Sequence, residues 1–481
     1  MDRSPGTAGG QRACVRRSRL RKDGTGPRPV TQMNEFLPIA HCSRHDTCGR
    51  PWDGPELNRP DRVVVINDIS VMRGGATGVA LASIRYLLSL GLPVTFITGD
   101  DGSEADPQIA DVISAIGGRH ILQGGRAQAM LRGVYNRAAA QYLSSWIARH
   151  DTPKTVYHLH GWSKTLSPAV FEALKPVAKR LVVHAHDFFL SCPNGGYFNF
   201  QQDRPCLLTP LSTACLTCNC DRRSYAQKIW RATRLAMRHH LLGLHSVGRI
   251  LAVHEAMVPL LQRGAFADAA IDVLRNPVEP WCTDRVPAEH NRTFIFVGRL
   301  DADKGADLLA AAARRAGVSL RMIGAGPLAE KLAREFPEIE LAGWKDRRDI
   351  AALCQDARAI VMPSRSRETF GLSALEALTS GLPAIVSSQA LLAAEVVQGG
   401  LGFDCDPHDE ASLAELLAQV AGNDEVVAQM SLTAYRHARA LAPTPWDWSA
   451  RLMRIYSDVL DTAHQSTGVS PGGGGKQRPA I

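Results

Sequence analysis

Residues 368–383 are Glu-Thr-Phe-Gly-Leu-Ser-Ala-Leu-Glu-Ala-Leu-Thr-Ser-Gly-Leu-Pro. They place two carboxylates, Glu368 and Glu376, around a predicted junction between a loop and a helix that ends at Gly381. Free backbone N–H groups at such a helix start favour an anion. A carboxylate about one and a half turns further along suits a pair of sugar hydroxyls. The pattern therefore predicts a site for a ligand that carries phosphate and ribose.

Two loops with glycines and cations precede this segment. The apolar run 293–297 predicts a buried strand that leads to Gly298, Arg299 and Lys304, and residues 319–323 lead to Gly-Ala-Gly-Pro at 324–327. Cations, glycine turns and carboxylates thus all follow predicted strands, at the edge where open parallel sheets bind ligands. Two glutamates alone would suit a helix N-terminus or solvent, but this clustering favours a nucleotide-sugar site.

The set of motifs resembles the retaining glycosyltransferases of the GT-B fold, specifically glycosyltransferase family 4. Within residues 293–388 the likeness is carried by Gly298-Arg299, Lys304-Gly305, Gly324-Ala325-Gly326-Pro327, Pro363-Ser364, Glu368, Phe370-Gly371-Leu372, Glu376 and Gly381-Leu382-Pro383. A fainter likeness covers residues 61–280. The resemblance implies an α/β protein with two Rossmann-like domains that face each other across a cleft.

The resemblance also implies catalytic roles for His186, Arg299, Lys304 and Glu368. Arg299 and Lys304 would grip the donor diphosphate where other glycosyltransferases use a metal, so no cofactor is required for catalysis. Glu368 would lie near the sugar ring. His186, at the end of a buried strand, would face the sugar and the acceptor, and the family's front-face mechanism implies retention without a glycosyl-enzyme.

Donor binding falls, by the same resemblance, to loop glycines and to Glu376, which would accept hydrogen bonds from the ribose hydroxyls. The predicted donor-binding residues are Gly74, Gly75, Gly298, Gly324, Gly326, Phe370, Gly371, Leu372 and Glu376. For Gly74 and Gly75 a simple tight turn is an equal alternative. His158 and His160, at the end of the preceding predicted strand, are expected to line the acceptor mouth.

A chain of 481 residues with 45% hydrophobic residues is long enough for two or three cores. No apolar run reaches membrane-spanning length, and we expect a cytoplasmic protein, peripheral on the inner membrane face. The predicted segments are a disordered basic leader at 1–60, an acceptor-side α/β domain at 61–277, a nucleotide-sugar-binding α/β domain at 278–445, a helix at 446–464 that returns to the first domain, and a disordered tail at 465–481.

The positive charge is concentrated in the leader. The whole chain carries +8, and residues 1–32 contain eight Lys or Arg against two Asp. A basic arm for nucleic acid is one interpretation. Translation that starts at Met33 is the one we favour, because nothing downstream resembles nucleic-acid recognition, and we expect no nucleic-acid partner.

The acceptor-side domain contains a Cys-rich insertion at 192–220 with five of the eleven cysteines. The pair Cys215 and Cys218 has the spacing of metal ligands, and with Cys192 and Cys206 it predicts a structural zinc. Reduced, unligated thiols are the alternative.

A basic stripe follows the insertion. Lys228, Arg231, Arg234 and Arg238 recur at spacings of three, three and four, which places them on one face of a predicted helix. The stripe predicts either a helix that binds an anionic membrane surface or a solvated basic face.

The function expected from all these features is transfer of a sugar from a nucleotide-diphosphate sugar to a glycan or lipid-linked acceptor, in cell-surface polysaccharide or glycolipid synthesis. A sugar-phosphate synthase of the same fold and a catalytically silent scaffold are the alternatives. The presence of Arg299, Lys304, Glu368 and Glu376 argues against the scaffold.

Overall fold

The computed structural model describes residues 58–72, 74–118, 125–243, 246–264 and 270–467. The strands are β1 (Arg62–Asn67), β2 (Val94–Thr98), β3 (Ile113–Ala115), β4 (Thr155–Leu159), β5 (Leu181–Ala185), β6 (Phe198–Asn199), β7 (Arg204–Pro205), β8 (Arg249–Ala252), β9 (Ile271–Val273), β10 (Thr293–Val297), β11 (Leu320–Ile323), β12 (Glu340–Gly343), β13 (Ala357–Met362), β14 (Ala384–Ser387) and β15 (Gly402–Cys405).

The helices are α1 (Gly75–Ser89), α2 (Arg126–Val134), α3 (Arg137–His150), α4 (Val170–Ala173), α5 (Thr213–Thr217), α6 (Tyr225–Leu241), α7 (Val258–Arg263), α8 (Ala306–Ala316), α9 (Ala329–Glu335), α10 (Arg347–Leu353), α11 (Leu372–Thr379), α12 (Ala393–Gln398), α13 (Glu410–Gly422), α14 (Asp424–His437) and α15 (Pro445–Thr467). Short 3₁₀ segments lie at Pro107–Val112, Lys175–Arg180, Glu255–Met257, Ala288–His290, Ala302–Lys304 and Ala438–Leu441.

Two parallel sheets organise the described residues. The first has the strand order β3-β2-β1-β4-β5-β8-β9, and the second has the order β12-β11-β10-β13-β14-β15. Central strands such as β1 and β13 are apolar and buried along most of their length, as expected for sheets covered by helices on both faces. In each sheet the order reverses beside the first strand, between β1 and β4 and between β10 and β13, and such points form the ligand crevice of doubly wound sheets.

Helix α15 packs against the first sheet. Trp448 and Tyr456 are fully buried in one cluster with Val63, Val65 and Phe96 of β1 and β2. The helix continues to Thr467, so residues 465–467 of the predicted disordered tail are helical. The remainder of that tail, and the predicted leader up to residue 57, lie outside the described residues.

The basic stripe of α6 faces the interior, which contradicts both interpretations made from its spacing. Lys228 and Arg238 are each 1% exposed and Arg234 is 7% exposed. Arg238 donates to the carbonyl of Leu190, and Arg234 donates to that of Ser163 at 2.7 Å. Arg234 and Arg238 therefore bind carbonyl oxygens of loops beneath the helix, and Lys228 contacts cysteine sulfurs there. These three cations are available neither to a membrane nor to solvent.

The outward side of α6 is partly apolar instead. Tyr225 and Ile229 are 43% and 39% exposed, and Met130 and Leu131 of the adjoining α2 are 55% and 74% exposed. The indole N–H of Trp230 donates to the Met130 carbonyl at 2.9 Å and joins the two helices. We call Met130, Leu131, Tyr225 and Ile229 the apolar patch. No helix among the described residues is long and apolar enough to cross a membrane.

Candidate active site

Lys304 and Glu368, predicted from separate motifs, meet in an ion pair between Lys304 Nζ and Glu368 Oε2. Lys304 is held by the turn that follows β10, where its backbone N–H donates to Asp301 Oδ1 at 3.0 Å. Glu368 lies in the loop between β13 and α11. Because β10 and β13 are neighbours, the pair sits at the reversal point of the second sheet.

Arg299 occupies the same loop as Lys304. Its Nε lies 2.6 Å from Asp301 Oδ2, and its side chain is 64% exposed. Asp301 is buried, but the Arg299 side chain lies mostly in solvent, where an incoming anion can reach its guanidinium. Asp301 thus positions both predicted cations.

The glycines of the donor loops allow two loops to touch. Gly324 has a φ of +150°, and a Cβ there would lie 1.8 Å from the Gly298 carbonyl oxygen. A Cβ on Gly326 would lie 2.3 Å from the Leu300 carbonyl oxygen. Glycine is therefore required at both positions for the loops after β10 and β11 to pack together.

Glu376 is paired with a cation that the sequence analysis did not identify. Its Oε1 accepts from Arg347 Nη1 at 2.7 Å, and Arg347 also donates to the Pro280 carbonyl at 2.8 Å. Burial raises the pKa of Glu376, and the Arg347 guanidinium opposes that rise. No sequence signal distinguished Arg347 from other surface arginines at the start of a helix.

The loop that carries Glu368 contacts the end of the predicted histidine strand. Thr369 Oγ1 donates to the His186 carbonyl at 2.8 Å, so two predicted catalytic residues flank one contact between the two sheets. On the other side, a Cβ on Gly75 would lie 3.0 Å from Leu372 Cδ1. Gly74 directly precedes α1, and Gly75, the first residue of α1, borders the start of α11.

Phe370 and Gly371 complete the approach to α11. Phe370 is 3% exposed and packs in the core, whereas Gly371 has a φ of +80° and directly precedes the helix. The Phe370 side chain therefore anchors the loop from below, and only its backbone is available to a ligand.

Polar residues line the cleft beside His186. Asp68, after β1, accepts backbone N–H groups of Lys164, Thr165 and Leu166 at 2.9, 2.7 and 3.0 Å. A pocket here is lined by residues that include Asp68, His160, Trp162 and His186. Asp68 was not predicted from the sequence, although it directly follows a buried strand, which is the feature that identified His186.

The four cysteines predicted to bind zinc do not converge on one point. Among the described residues, no group of three or more metal-ligating atoms within 4.8 Å of one another includes a cysteine. Lys228 Nζ lies instead 3.3 Å from Cys215 Sγ and 3.1 Å from Cys220 Sγ. Cys192 contacts Asn194, Cys218 contacts Asn199, and the backbone N–H of Cys206 donates to Tyr197.

Residues 283–437 match the family model described as glycosyl transferases group 1. The matched range is about a third of the chain. The matched range contains every predicted donor-side residue from Gly298 to Glu376, and it confirms that the domain is of the glycosyltransferase class of enzymes. Assignment to family 4 in particular stays a prediction.

Curated relatives align over part of the chain. A glycogen synthase of Mycobacterium tuberculosis is 32% identical over 195 residues, which cover 37% of this chain and 46% of that protein. A D-inositol 3-phosphate glycosyltransferase of Thermobispora bispora is 30% identical over 210 residues, with the same coverage of 37% and 46%. The chain thus spans about half the length of the curated relatives it matches.

Solved structures extend the likeness to the whole fold. A sucrose-phosphate synthase from Thermosynechococcus elongatus superposes with a TM-score of 0.62 at 16% identity, over 83% of this chain and 99% of that one. HepE of Anabaena, solved with UDP and glucose, gives 0.59 at 14% identity, over 81% and 98%. With the two parallel sheets, this confirms the predicted GT-B fold.

Proposed function

We propose that this chain is a retaining glycosyltransferase that moves a sugar from a nucleotide-diphosphate sugar to a glycan or lipid-linked acceptor. The observation that carries the proposal is the Lys304–Glu368 ion pair, which lies one residue from the contact between Thr369 and the His186 carbonyl. Groups suited to a diphosphate, a sugar ring and an acceptor hydroxyl are thereby gathered at one edge of two sheets.

The cations provide the main catalytic effect in this proposal. The diphosphate of the donor binds Lys304 and Arg299, which loosens their pairs with Glu368 and Asp301. As the bond to the sugar breaks, negative charge grows on the leaving phosphate, and a prepositioned ammonium and guanidinium stabilise it. No metal is needed for that step. Released from Lys304, Glu368 is free to accept from a sugar hydroxyl.

The ribose is held by Glu376. Arg347 fixes the carboxylate by a hydrogen bond of 2.7 Å to Oε1, and its guanidinium opposes the rise in pKa that burial causes. An ionised carboxylate accepts from two neighbouring hydroxyls at once. A uridine diphosphate sugar is the first donor to test, because HepE of Anabaena has been solved with UDP-glucose.

The acceptor enters beside His186. Asp68, Asp187 and Trp162 line this cleft with carboxylates and an aromatic face, which suit the hydroxyls and the apolar face of a sugar. An acceptor of this kind fits a role in polysaccharide or glycolipid synthesis.

For a lipid-linked acceptor, the apolar patch is the surface we assign to the membrane. The exposed side chains of Met130, Leu131, Tyr225 and Ile229 would enter the interface between headgroups and acyl chains. Attachment would therefore depend on apolar burial, and not on the cations of α6, which are buried.

The proposal is tested by incubating the purified chain with a panel of nucleotide sugars and by measuring nucleotide release and sugar transfer. We expect turnover with one donor, also in the presence of EDTA. Lys304→Ala should lower the rate about a hundredfold or more, because loss of one such group typically costs about 3 kcal/mol of transition-state stabilisation.

The matched control is Lys331→Ala, which removes an exposed lysine paired with Glu335 at 3.8 Å on α9. Both variants should melt near the wild-type temperature. Near-wild-type turnover of folded Lys304→Ala would exclude the proposed site. Loss of turnover in EDTA that Mg²⁺ or Mn²⁺ restores would show that the cations do not replace a metal. Transfer to sugar phosphates alone would indicate a synthase.

A further inference from the structure

Four histidines lie close together at the carboxyl ends of β4 and β5. They form two His-x-His pairs, His158 with His160 and His184 with His186, and alternation along a strand turns both members of a pair to one face. Within the first pair the two ring centroids are 4.0 Å apart, and within the second pair they are 4.3 Å apart. Between the pairs, the rings of His160 and His184 have centroids 5.0 Å apart. The proposed transfer reaction uses only His186.

The hydrogen bonds of the group leave two buried ring nitrogens without a partner. His158 Nδ1 bonds the Tyr456 hydroxyl at 2.7 Å, and its Nε2 lies 3.3 Å from His184 Nδ1. His160 Nδ1 lies 3.0 Å from His186 Nε2. The Nε2 atoms of His160 and His184 are buried and have no hydrogen-bond partner among the described residues. Such unsatisfied buried atoms destabilise the fold unless a ligand binds them.

All three rings are buried and lie next to one another, with centroids 4.0 to 5.4 Å apart. One ring nitrogen from each of His158, His160 and His184 lies within 4.8 Å of the other two. Zinc bonds of roughly 2.0–2.1 Å place two ligand nitrogens about 3.4 Å apart in a tetrahedral site, so each pair of nitrogens would approach by at most about 1.4 Å on binding.

We propose that His158, His160 and His184 form a binding site for one divalent transition-metal ion of the zinc class. Three imidazoles suit Zn²⁺, Cu²⁺ or Ni²⁺, and a fourth position would face the cleft that His160, His184 and His186 line. Tyr456 would orient His158 from behind, as outer partners of metal-bound histidines do. An ion coordinated through His160 Nε2 would give that buried nitrogen the partner it lacks.

The other group of potential ligands, His254, Glu255 and Glu395, does not compete for this role. Arg275 donates to both of its carboxylates, at 2.5 Å from Nη2 in each case, and so already neutralises them. The histidine group contains no cation and no carboxylate. Its site is also separate from the diphosphate, which Arg299 and Lys304 are proposed to hold.

The test measures metal content and does not depend on activity. The untagged full chain is stripped with EDTA, dialysed against Zn²⁺ or Co²⁺, and analysed by mass spectrometry of the metal, visible Co²⁺ absorption and thermal melting. We expect about one retained ion per chain, tetrahedral Co²⁺ bands and a higher melting temperature. His184→Gln should lose all three, whereas His437→Gln, at an exposed position on α14, should keep them.

Tyr456→Phe should retain the ion with about 10–100-fold lower affinity, because it removes only the outer partner of His158. If His184→Gln fails to fold, the affinity of Tyr456→Phe for the metal still tests the proposal. A metal that is absent from the wild type, or that survives in folded His184→Gln, would overturn the proposal. An ion lost with Cys215→Ser but retained in His184→Gln would place the metal at the cysteines and would overturn it equally.

Discussion

At the scale of single residues, Glu376 shows how one carboxylate can be predicted while its partner is missed. Its place in α11 followed from the spacing to Glu368 and from the helix boundaries, both of which are local properties. Arg347 lies 29 positions away at the start of α10, and no local pattern links the two. The pair exists because the fold brings α10 and α11 together.

Glu376 should give the ligand-free protein a distinct pH dependence. Burial raises its pKa in the folded state above the ordinary value of 4.5, so the folded protein binds more protons than the unfolded chain between the two values. The free energy of unfolding should therefore fall as pH rises from about 4.5 through the raised pKa. Urea unfolding across this window should show a flatter profile for Glu376→Gln.

Glu415→Gln is the control, because Glu415 is an exposed residue on α13. Its profile should follow that of the wild type. If Glu376→Gln keeps the full wild-type slope, Glu376 is not the source of the pH dependence, and its burial beside Arg347 has no energetic consequence.

At the scale of elements, α6 shows what periodicity can and cannot establish. The spacing of Lys228, Arg231, Arg234 and Arg238 established that they share one face of a helix, which the structure has. It did not establish which way that face points, because cations usually face water. The exception arises from the irregular loop that leads into and includes the Cys-rich insertion. Its carbonyls at Leu190 and Asn194 accept hydrogen bonds from Arg238 and Arg231.

The strands were predicted correctly, because the apolar composition that identifies them also determines that they are buried. The predicted strand at 293–297 coincides with β10, and the predicted run 319–323 contains β11. A continuous apolar run can only be buried, so its environment is fixed by its composition. The predicted zinc set failed to converge for the opposite reason, since cysteine spacing says nothing about how a long loop is folded.

The apolar patch on α2 and α6 should bind lipid bilayers with little dependence on salt. Apolar insertion is not screened by ions, whereas attraction between a basic stripe and anionic lipid is. Co-sedimentation with liposomes should persist as salt rises, and it should fall several-fold in the double variant Leu131→Asp/Ile229→Asp. Leu432→Asp, which changes an exposed leucine on α14, is the control.

Binding that disappears as salt rises would show that charge, and not the patch, holds the protein on the bilayer. Equal binding by the wild type and the double variant would exclude the patch as the membrane surface.

At the scale of the whole molecule, contacts between the parts that carry the two sheets determine which groups share a site. Thr369 touches the His186 carbonyl, and Arg222 of the loop before α6 pairs with Asp303 in the turn that holds Lys304. The two sheets were predictable from apolar runs that end at glycine-containing turns. The contacts between them were not, because each joins residues more than 80 positions apart.

A further contact of this type joins Arg275 and Glu395. Arg275 follows β9 of the first sheet, and Glu395 lies on α12 beside the second sheet. Arg275 donates two hydrogen bonds to Glu395, at 2.9 and 2.5 Å, and His254 Nε2 lies 3.4 Å from the same carboxylate. Burial acts to raise the pKa of Glu395, but the hydrogen bonds from His254 and Arg275 lower it to about 2.

Glu395→Gln should therefore weaken the contact between the two parts of the molecule and lower the free energy of unfolding by an amount that depends on pH. Because the folded-state pKa is depressed, the stabilisation is complete above the unfolded value of about 4.5 and is lost as pH falls toward about 2. Urea unfolding should show a large difference between the wild type and the variant at about pH 7 and a smaller one at about pH 3. Small-angle scattering at neutral pH should give a larger radius of gyration for the variant, whereas Glu415→Gln should change neither quantity. A stability difference that stays constant over this range would mean that the ionised carboxylate of Glu395 does not hold the two parts together.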